Sequence, residues 1–180
     1  REARGLNYGD YSYIERYPNG GRRSKPMQNV SLRQQMFEIW IRPVPNETKH
    51  FVLRATVREL EDFIENGLTE EEFDLTQQFF SKYVLHYAPT TMARLGYALD
   101  DKFYDIDGSH LENLRTIIPS LTREEVNSTV KKYLQSEDMK IALVTNNADS
   151  LKSALVDEIV SPIEYATPKD KEVYEADKVI

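Results

Sequence analysis

The chain has 180 residues, of which 40% are hydrophobic and 29% charged, the proportions of an ordinary globular protein. This length suffices for one domain with a substantial core, which would bury roughly 70% of the unfolded surface. The net charge of −7 at pH 7 argues against a nucleic-acid-binding protein, because phosphate contacts require clustered lysine and arginine. The absence of cysteine excludes disulfides, cysteine nucleophiles and thiolate metal sites.

The first residues of the chain alternate with the two-residue period of a β-strand. One face would carry Leu6, Tyr8, Ser12 and Ile14, and the other face Tyr11 and Tyr13. A helix that bears Arg1 and Arg4 would end just before this strand, and the chain would turn into the strand at Gly5. Arg1 and Tyr8 would then lie close together, although seven positions separate them.

An arginine beside a tyrosine at the start of a strand has two interpretations. In the functional one, the guanidinium of Arg1 and the phenolic O–H of Tyr8 donate hydrogen bonds to one oxygen. Such donors hold a peptide carbonyl while it becomes an oxyanion. In the structural one, Arg1 is a solvated arginine and Tyr8 is a core tyrosine. The spacing alone leaves both interpretations open.

A loop, a second strand and a long helix are predicted next. The basic cluster of Arg22, Arg23 and Lys25 lies among glycine and proline and is interpreted as a solvated loop tip. Residues 36–42 alternate again and predict a strand antiparallel to the first. A helix with an apolar stripe at positions 53, 57, 60 and 64 is predicted to follow and to end at Asn66 and Gly67.

Three capping boxes predict helix starts farther along the chain. Each places Ser or Thr three residues before Glu: Thr69 with Glu72, Ser109 with Glu112, and Thr122 with Glu125. Between the first two boxes, a helix over about residues 91–104 is predicted from the apolar period. Its buried stripe would consist of Met92, Leu95, Leu99 and Phe103.

The last part of the chain decides the predicted fold class. Residues 139–145 are apolar on both faces, which predicts a strand covered on both sides. A helix over about 148–158 and an extended, irregular tail are predicted to follow. The order of elements favours the α+β class, a largely antiparallel sheet with helices packed on one face. Residues 1–160 would form one domain and residues 161–180 a C-terminal tail.

The histidines do not have the spacing of a metal site. A catalytic zinc site on a helix needs histidines at helical spacing beside a glutamate, whereas His50, His86 and His110 are far apart. Glu47 and His50 form one E-x-x-H pair, but a di-iron site needs a second pair and further glutamates. The pair is therefore interpreted as part of a surface helix, and this chain is expected to bind no metal.

The chain is expected to be a piece of a longer protein. It begins with Arg1 rather than with methionine and stops at Ile180 without a closing element. No apolar run approaches the roughly 20 residues of a membrane-spanning helix, so a soluble chain without a membrane span is expected.

The first twelve residues also resemble a known family. Their run R-E-x-x-G-L-x-Y-G-x-Y-S resembles the signature of the C-terminal domain in the insulinase/pitrilysin family of zinc metallopeptidases, which includes the mitochondrial processing peptidases. In that family an arginine and a tyrosine seven positions later reach from the C-terminal domain to the scissile bond. Arg1 and Tyr8 occupy those two positions.

The resemblance implies a peptidase domain that is truncated at its N-terminus and acts only with another domain. Its fold would be the family's half-domain, and its substrate a peptide. Zinc and the H-x-x-E-H motif would lie on an N-terminal domain or partner subunit, so this fragment alone would be inactive. Arg1 and Tyr8 would bind the substrate and stabilise its scissile carbonyl. The bacterial periplasm and the mitochondrial matrix both stay open as compartments.

Two alternatives stay open beside the peptidase. The first is a zinc-free member of the same family that serves as a scaffold or binding subunit. The second is an unrelated α+β interaction domain. The presence of both Arg1 and Tyr8 favours the active assembly, because a scaffold has no use for the pair. An H-x-x-E-H motif in the parent sequence or a companion chain would separate the peptidase from the scaffold.

Overall fold

The computed structural model of the chain describes residues 3–15, 28–29, 36–161 and 163–180. The basic cluster at Arg22, Arg23 and Lys25 lies outside them. The described residues form two strands, β1 (Tyr11–Glu15) and β2 (Met36–Trp40). They also form seven α-helices: α1 (Lys49–Asn66), α2 (Glu70–Tyr83), α3 (Thr91–Phe103), α4 (His110–Ile117), α5 (Arg123–Tyr133), α6 (Ala148–Val156) and α7 (Lys171–Asp177). No helix among these residues is both long and apolar enough to cross a membrane.

The structure belongs broadly to the α+β class, but helix predominates in the described part of the chain. β1 and β2 pair as a two-stranded antiparallel sheet, as the alternation predicted. The expectation of a largely antiparallel sheet is not confirmed, since these residues contain no further strand. The helices predicted after the second strand are all present, whereas Arg4, predicted at the end of a helix, lies outside the helices of the described chain.

Residues 139–145 account for part of the missing sheet. The segment was predicted to be a strand covered on both faces, but it pairs with no strand of the described chain. Ile141 and Leu143 are about half exposed, and Val144 is fully exposed. A strand exists only through its hydrogen-bonded neighbours, so apolar alternation without a partner strand leaves irregular chain.

The chain divides into two compact units, neither of which consists of the C-terminal residues alone. One unit contains the described residues up to 13, residues 38–65 and those from 134 onward. The other contains the described residues within 14–37 and residues 66–133. The predicted boundary between a domain of residues 1–160 and a C-terminal tail stays a prediction.

The core of the first unit lies around α1. Phe51, Val52 and Ile180 are buried together there. Five partly buried side chains pack against them: Leu6, Ile41, Val44, Ala55 and Ile163. Extended chain was expected after residue 160, but this segment forms α7 and brings Ile180 into the core. The core therefore joins the beginning and the end of the described chain.

In the second unit, two of the three predicted capping boxes form. Thr69 and Glu72 exchange hydrogen bonds at the start of α2, and Thr122 and Glu125 do so at the start of α5. The box predicted at Ser109 does not form, since the Ser109 side chain makes no capping hydrogen bond. The backbone N–H of His110, the first residue of α4, donates to the carboxylate of Asp101 at 3.1 Å.

The buried side of α3 also differs from the prediction. Met92, Leu95, Leu99 and Phe103 were expected to be buried, but all four are at least half exposed. The helix instead buries Gly96, Tyr97 and Asp101. Asp101 caps α4, and a helix that supplies this cap must turn the face bearing Asp101 inward.

Candidate functional site

The two residues predicted to act on a substrate are Arg1 and Tyr8. Arg1 lies outside the described residues. Tyr8 is described and its side chain is 78% exposed. The interpretation of Tyr8 as a core tyrosine is therefore wrong, and the functional interpretation stays a prediction.

Tyr8 lies in an irregular segment before β1, not in the strand itself. Residues 5–10 are called the Tyr8 segment. The strand was predicted from Leu6, but β1 begins at Tyr11. Gly5 and Gly9 have φ angles of +66° and +83°, in the left-handed region that favours glycine. Since these two turns interrupt the extended backbone, Leu6 and Tyr8 need not share a face. Leu6 packs against the core, whereas Tyr8 is largely in solvent.

The chain around Asn7 and Asp10 is held by hydrogen bonds to Arg42, two residues beyond the end of β2. A carboxylate oxygen of Asp10 accepts from the backbone N–H of Arg42 at 3.0 Å. The side-chain amide of Asn7 donates to the same oxygen at 2.6 Å and to the carbonyl of Arg42 at 3.4 Å. The Arg42 guanidinium lies 5.8 Å from the centre of the Tyr11 ring. These contacts fix the downstream side of the Tyr8 segment.

The chain just before Tyr8 is held by an ion pair with the end of the chain. Nε of Arg4 donates to Oδ1 of Asp177, the last residue of α7, at 2.8 Å. The hydroxyl of Tyr165 donates to Oδ2 of the same carboxylate at 2.6 Å. The Arg4 side chain is 16% exposed and that of Asp177 9%. Both carboxylate oxygens are therefore engaged in a mostly dry environment.

This environment changes the pKa values of two members of the cluster. Burial alone would lower the pKa of Arg4, but its hydrogen bond and charge attraction to Asp177 outweigh burial and raise that pKa. Burial, reinforced by the hydrogen bond to Asp177, raises the pKa of Tyr165 well above its ordinary value. Arg4 is therefore a permanent cation and Tyr165 a neutral donor at physiological pH.

The arrangement can present one hydroxyl to a bound molecule. The phenol of Tyr8 both donates and accepts hydrogen bonds, and it stands on a short segment that is attached to the protein on either side. A group held in this way can aim a hydrogen bond at a substrate oxygen without first ordering its backbone. Its chemistry is that of a positioned neutral donor.

The described residues contain no group of three or more His, Asp or Glu side chains that could hold a metal ion. His50 lies in α1, where its Nε2 is buried without a hydrogen-bond partner among the described residues. His110 lies near the ring of Tyr97, with centroids 6.4 Å apart.

Sequence reasoning missed Asp177 and Tyr165, which lie in the segment predicted to be an irregular tail. Asp177 is 173 positions from Arg4, and no local pattern signals a contact at that distance. The conformation of the Tyr8 segment did have a signal. Two glycines within five residues indicate turns rather than an uninterrupted strand.

Comparisons with known proteins do not place the chain in a family. No family model matches it, and no curated protein or solved structure shows significant similarity to it. The resemblance to the insulinase family therefore rests on the residues of the chain alone.

Proposed function

We propose that this chain is the C-terminal domain of an insulinase-like zinc metallopeptidase and that Tyr8 contacts the scissile carbonyl of a peptide substrate. Zinc and the glutamate general base would supply the activated water from an N-terminal domain or a partner subunit. The resemblance of residues 1–12 to the family signature supports this proposal. The exposure of Tyr8 on a segment held on both sides carries it furthest.

In this mechanism Tyr8 acts as a hydrogen-bond donor. As water adds to the peptide carbonyl, negative charge develops on the carbonyl oxygen, and the hydroxyl of Tyr8 donates to it. Arg1 would donate to the same oxygen, with a charge that does not titrate at physiological pH. A donor of this kind is worth on the order of 3 kcal/mol of transition-state stabilisation. In this role Tyr8 serves as an electrophilic partner of the carbonyl oxygen and not as a base.

The test is Tyr8→Phe in the zinc-bearing parent protein or in the assembly reconstituted with the zinc-bearing subunit. Turnover of a peptide substrate is expected to fall roughly a hundredfold, because one oxyanion donor is lost. Zinc content, measured by atomic absorption, is expected to stay unchanged. Tyr133→Phe is the matched control, since Tyr133 is 69% exposed but lies in the other unit. Near-normal turnover of the Tyr8 variant would exclude the role.

A zinc-free binding subunit of the same family is the second candidate. The exposed apolar stripe on α3, which consists of Met92, Leu95, Leu99 and Phe103, favours it because such patches are typical of interaction surfaces. In that case the parent assembly would contain no zinc, and Tyr8→Phe would leave its binding unchanged. Leu99→Lys would instead weaken association with a partner, as measured by sedimentation.

A further inference from the structure

We propose that Asp177 is a positioning residue for Tyr8: with Arg4 and Tyr165 it holds the Tyr8 segment against the core. These three side chains form a clamp. The part of the inference that concerns activity rests on the function proposed for Tyr8. The part that concerns the segment itself does not, and it can be tested on this chain alone.

The clamp joins the Tyr8 segment to the end of the chain. Arg4 is four residues before Tyr8, and Asp177 is at the end of α7. Asp177 binds Arg4 through one oxygen and Tyr165 through the other, at 2.8 and 2.6 Å. One carboxylate thus ties two segments that are remote in sequence. If Asp177 is replaced by a neutral residue, Arg4 loses its ion pair with this carboxylate.

The surroundings of Arg4 make loss of this bond more costly than loss of a surface ion pair. Its guanidinium lies 5.9 Å from the ring centre of Phe51, which is only 1% exposed. Its second acidic neighbour, Glu59, is 3.8 Å away and largely solvated, so it replaces little of the interaction with Asp177. An arginine confined beside the core and deprived of its carboxylate would move toward water.

The path from Arg4 to Tyr8 is short and contains one turn. Gly5 adopts φ +66°, and a Cβ at this position would lie 3.5 Å from Nζ of Lys169. Leu6 then enters the core beside Phe51 and Val52. Because Arg4, Gly5 and Leu6 determine where the backbone emerges, release of Arg4 would let the segment that bears Tyr8 shift.

The first experiment measures the order parameters of the backbone amides of residues 5–10 in the 180-residue chain by 15N relaxation. Asp177→Asn is expected to lower them from about 0.85, the value of rigid backbone, to below about 0.6, with the amides of α5 unchanged, because the release is local. Tyr165→Phe removes one of the two hydrogen bonds and is expected to have a smaller effect in the same direction. If Asp177→Asn impairs folding, Tyr165→Phe still tests whether the clamp holds the segment. Glu175→Gln is the control, since this carboxylate pairs with Lys178 on the exposed side of α7.

The second experiment measures peptide turnover in the zinc-bearing parent protein. Asp177→Asn is expected to lower kcat by roughly tenfold or more at unchanged zinc content, because small misplacement of a catalytic group is costly. In the Tyr8→Phe background the same substitution is expected to change kcat less than about twofold, since residues that act as a unit are non-additive. A merely structural role would lower activity equally in both backgrounds.

The outcomes separate the two proposals. If Tyr8→Phe is neutral, the peptidase role fails, and the order parameters still decide whether the clamp holds the segment. If Tyr8→Phe lowers turnover but Asp177→Asn lowers it by the same factor in the Tyr8→Phe background, the positioning role is overturned. Unchanged order parameters of residues 5–10 in both Asp177→Asn and Tyr165→Phe would overturn the clamp itself.

Discussion

The side-chain amide of Asn127 binds both polar groups of the Leu68 backbone. Its Oδ1 accepts from the N–H of Leu68 at 2.8 Å, and its Nδ2 donates to the carbonyl oxygen of Leu68 at 3.0 Å. Asn127 lies in α5, and Leu68 lies in the connection that leads into α2. A single side chain therefore fixes the turn from which α2 begins.

Asn127→Ala is expected to lower the free energy of unfolding by about 2 kcal/mol, because it leaves two partly buried backbone groups without partners. Urea unfolding followed by circular dichroism measures the change. Lys131→Ala, an exposed substitution one turn farther along α5, is the control and is expected to change stability by less than about 0.5 kcal/mol. Equal stability of the two variants would contradict a structural role for the amide.

Gly67→Ala is expected to destabilise the same turn for two separable reasons. Gly67 has φ +66°, a conformation that costs a residue with a Cβ about 1 kcal/mol. A Cβ there would also overlap the side-chain amide of Asn127. The total cost in the wild-type background should exceed about 2 kcal/mol, since crowded neighbours couple strongly.

The Asn127→Ala background provides the control for Gly67. With the amide removed, only the backbone cost of Gly67→Ala should remain, so the substitution should then cost about 1 kcal/mol. A double-mutant cycle in urea measures the difference. Additive effects would show that the amide and the glycine do not constrain each other.

The face of α3 that is buried gives the third prediction. Tyr97→Ala is expected to cost about 3 kcal/mol, because Tyr97 is only 5% exposed and its removal leaves a cavity. Leu99→Ala is expected to cost less than about 0.5 kcal/mol, since Leu99 is 54% exposed. The two variants are compared by urea unfolding. A larger loss at Leu99 would instead favour the apolar stripe read from the sequence.

Local signals in the sequence predicted local structure well. The boxes at Thr69 and Thr122 formed because each needs only residues three positions apart. The box at Ser109 did not form, and Asp101 from another helix binds the start of α4 through the N–H of His110 instead. The apolar period of α3 likewise identified a helix, but its buried face depends on neighbours that a single sequence does not reveal.

The candidate site was predictable only in part. Residues 1–12 singled out Tyr8, and the irregular backbone around it could have been inferred from Gly5 and Gly9. The bond between Arg4 and Asp177 could not, since it spans 173 positions and depends on the folding of α1 and α7 around one core. The strand predicted at residues 139–145 did not form, because its apolar pattern requires a partner strand that the described residues do not supply.

His50 gives the last prediction, which concerns pH. Burial, assisted by the nearby charge of Arg54, lowers the pKa of His50 below its ordinary value of 6.5. The unfolded chain therefore takes up a proton at this histidine more readily than the folded chain does. Above about pH 6.5 the difference costs nothing, and as the pH falls below that value it favours unfolding.

His50→Leu removes this proton uptake and fills the site with an apolar side chain. The free energy of unfolding of the wild-type chain, measured in urea between pH 7.5 and pH 5.0, is expected to fall more steeply than that of the variant. His86→Gln is the control, because it removes an exposed histidine and leaves His50 in place. The wild-type slope should persist in the control, and parallel profiles for the wild type and His50→Leu would show that burial of His50 does not destabilise the protein at low pH.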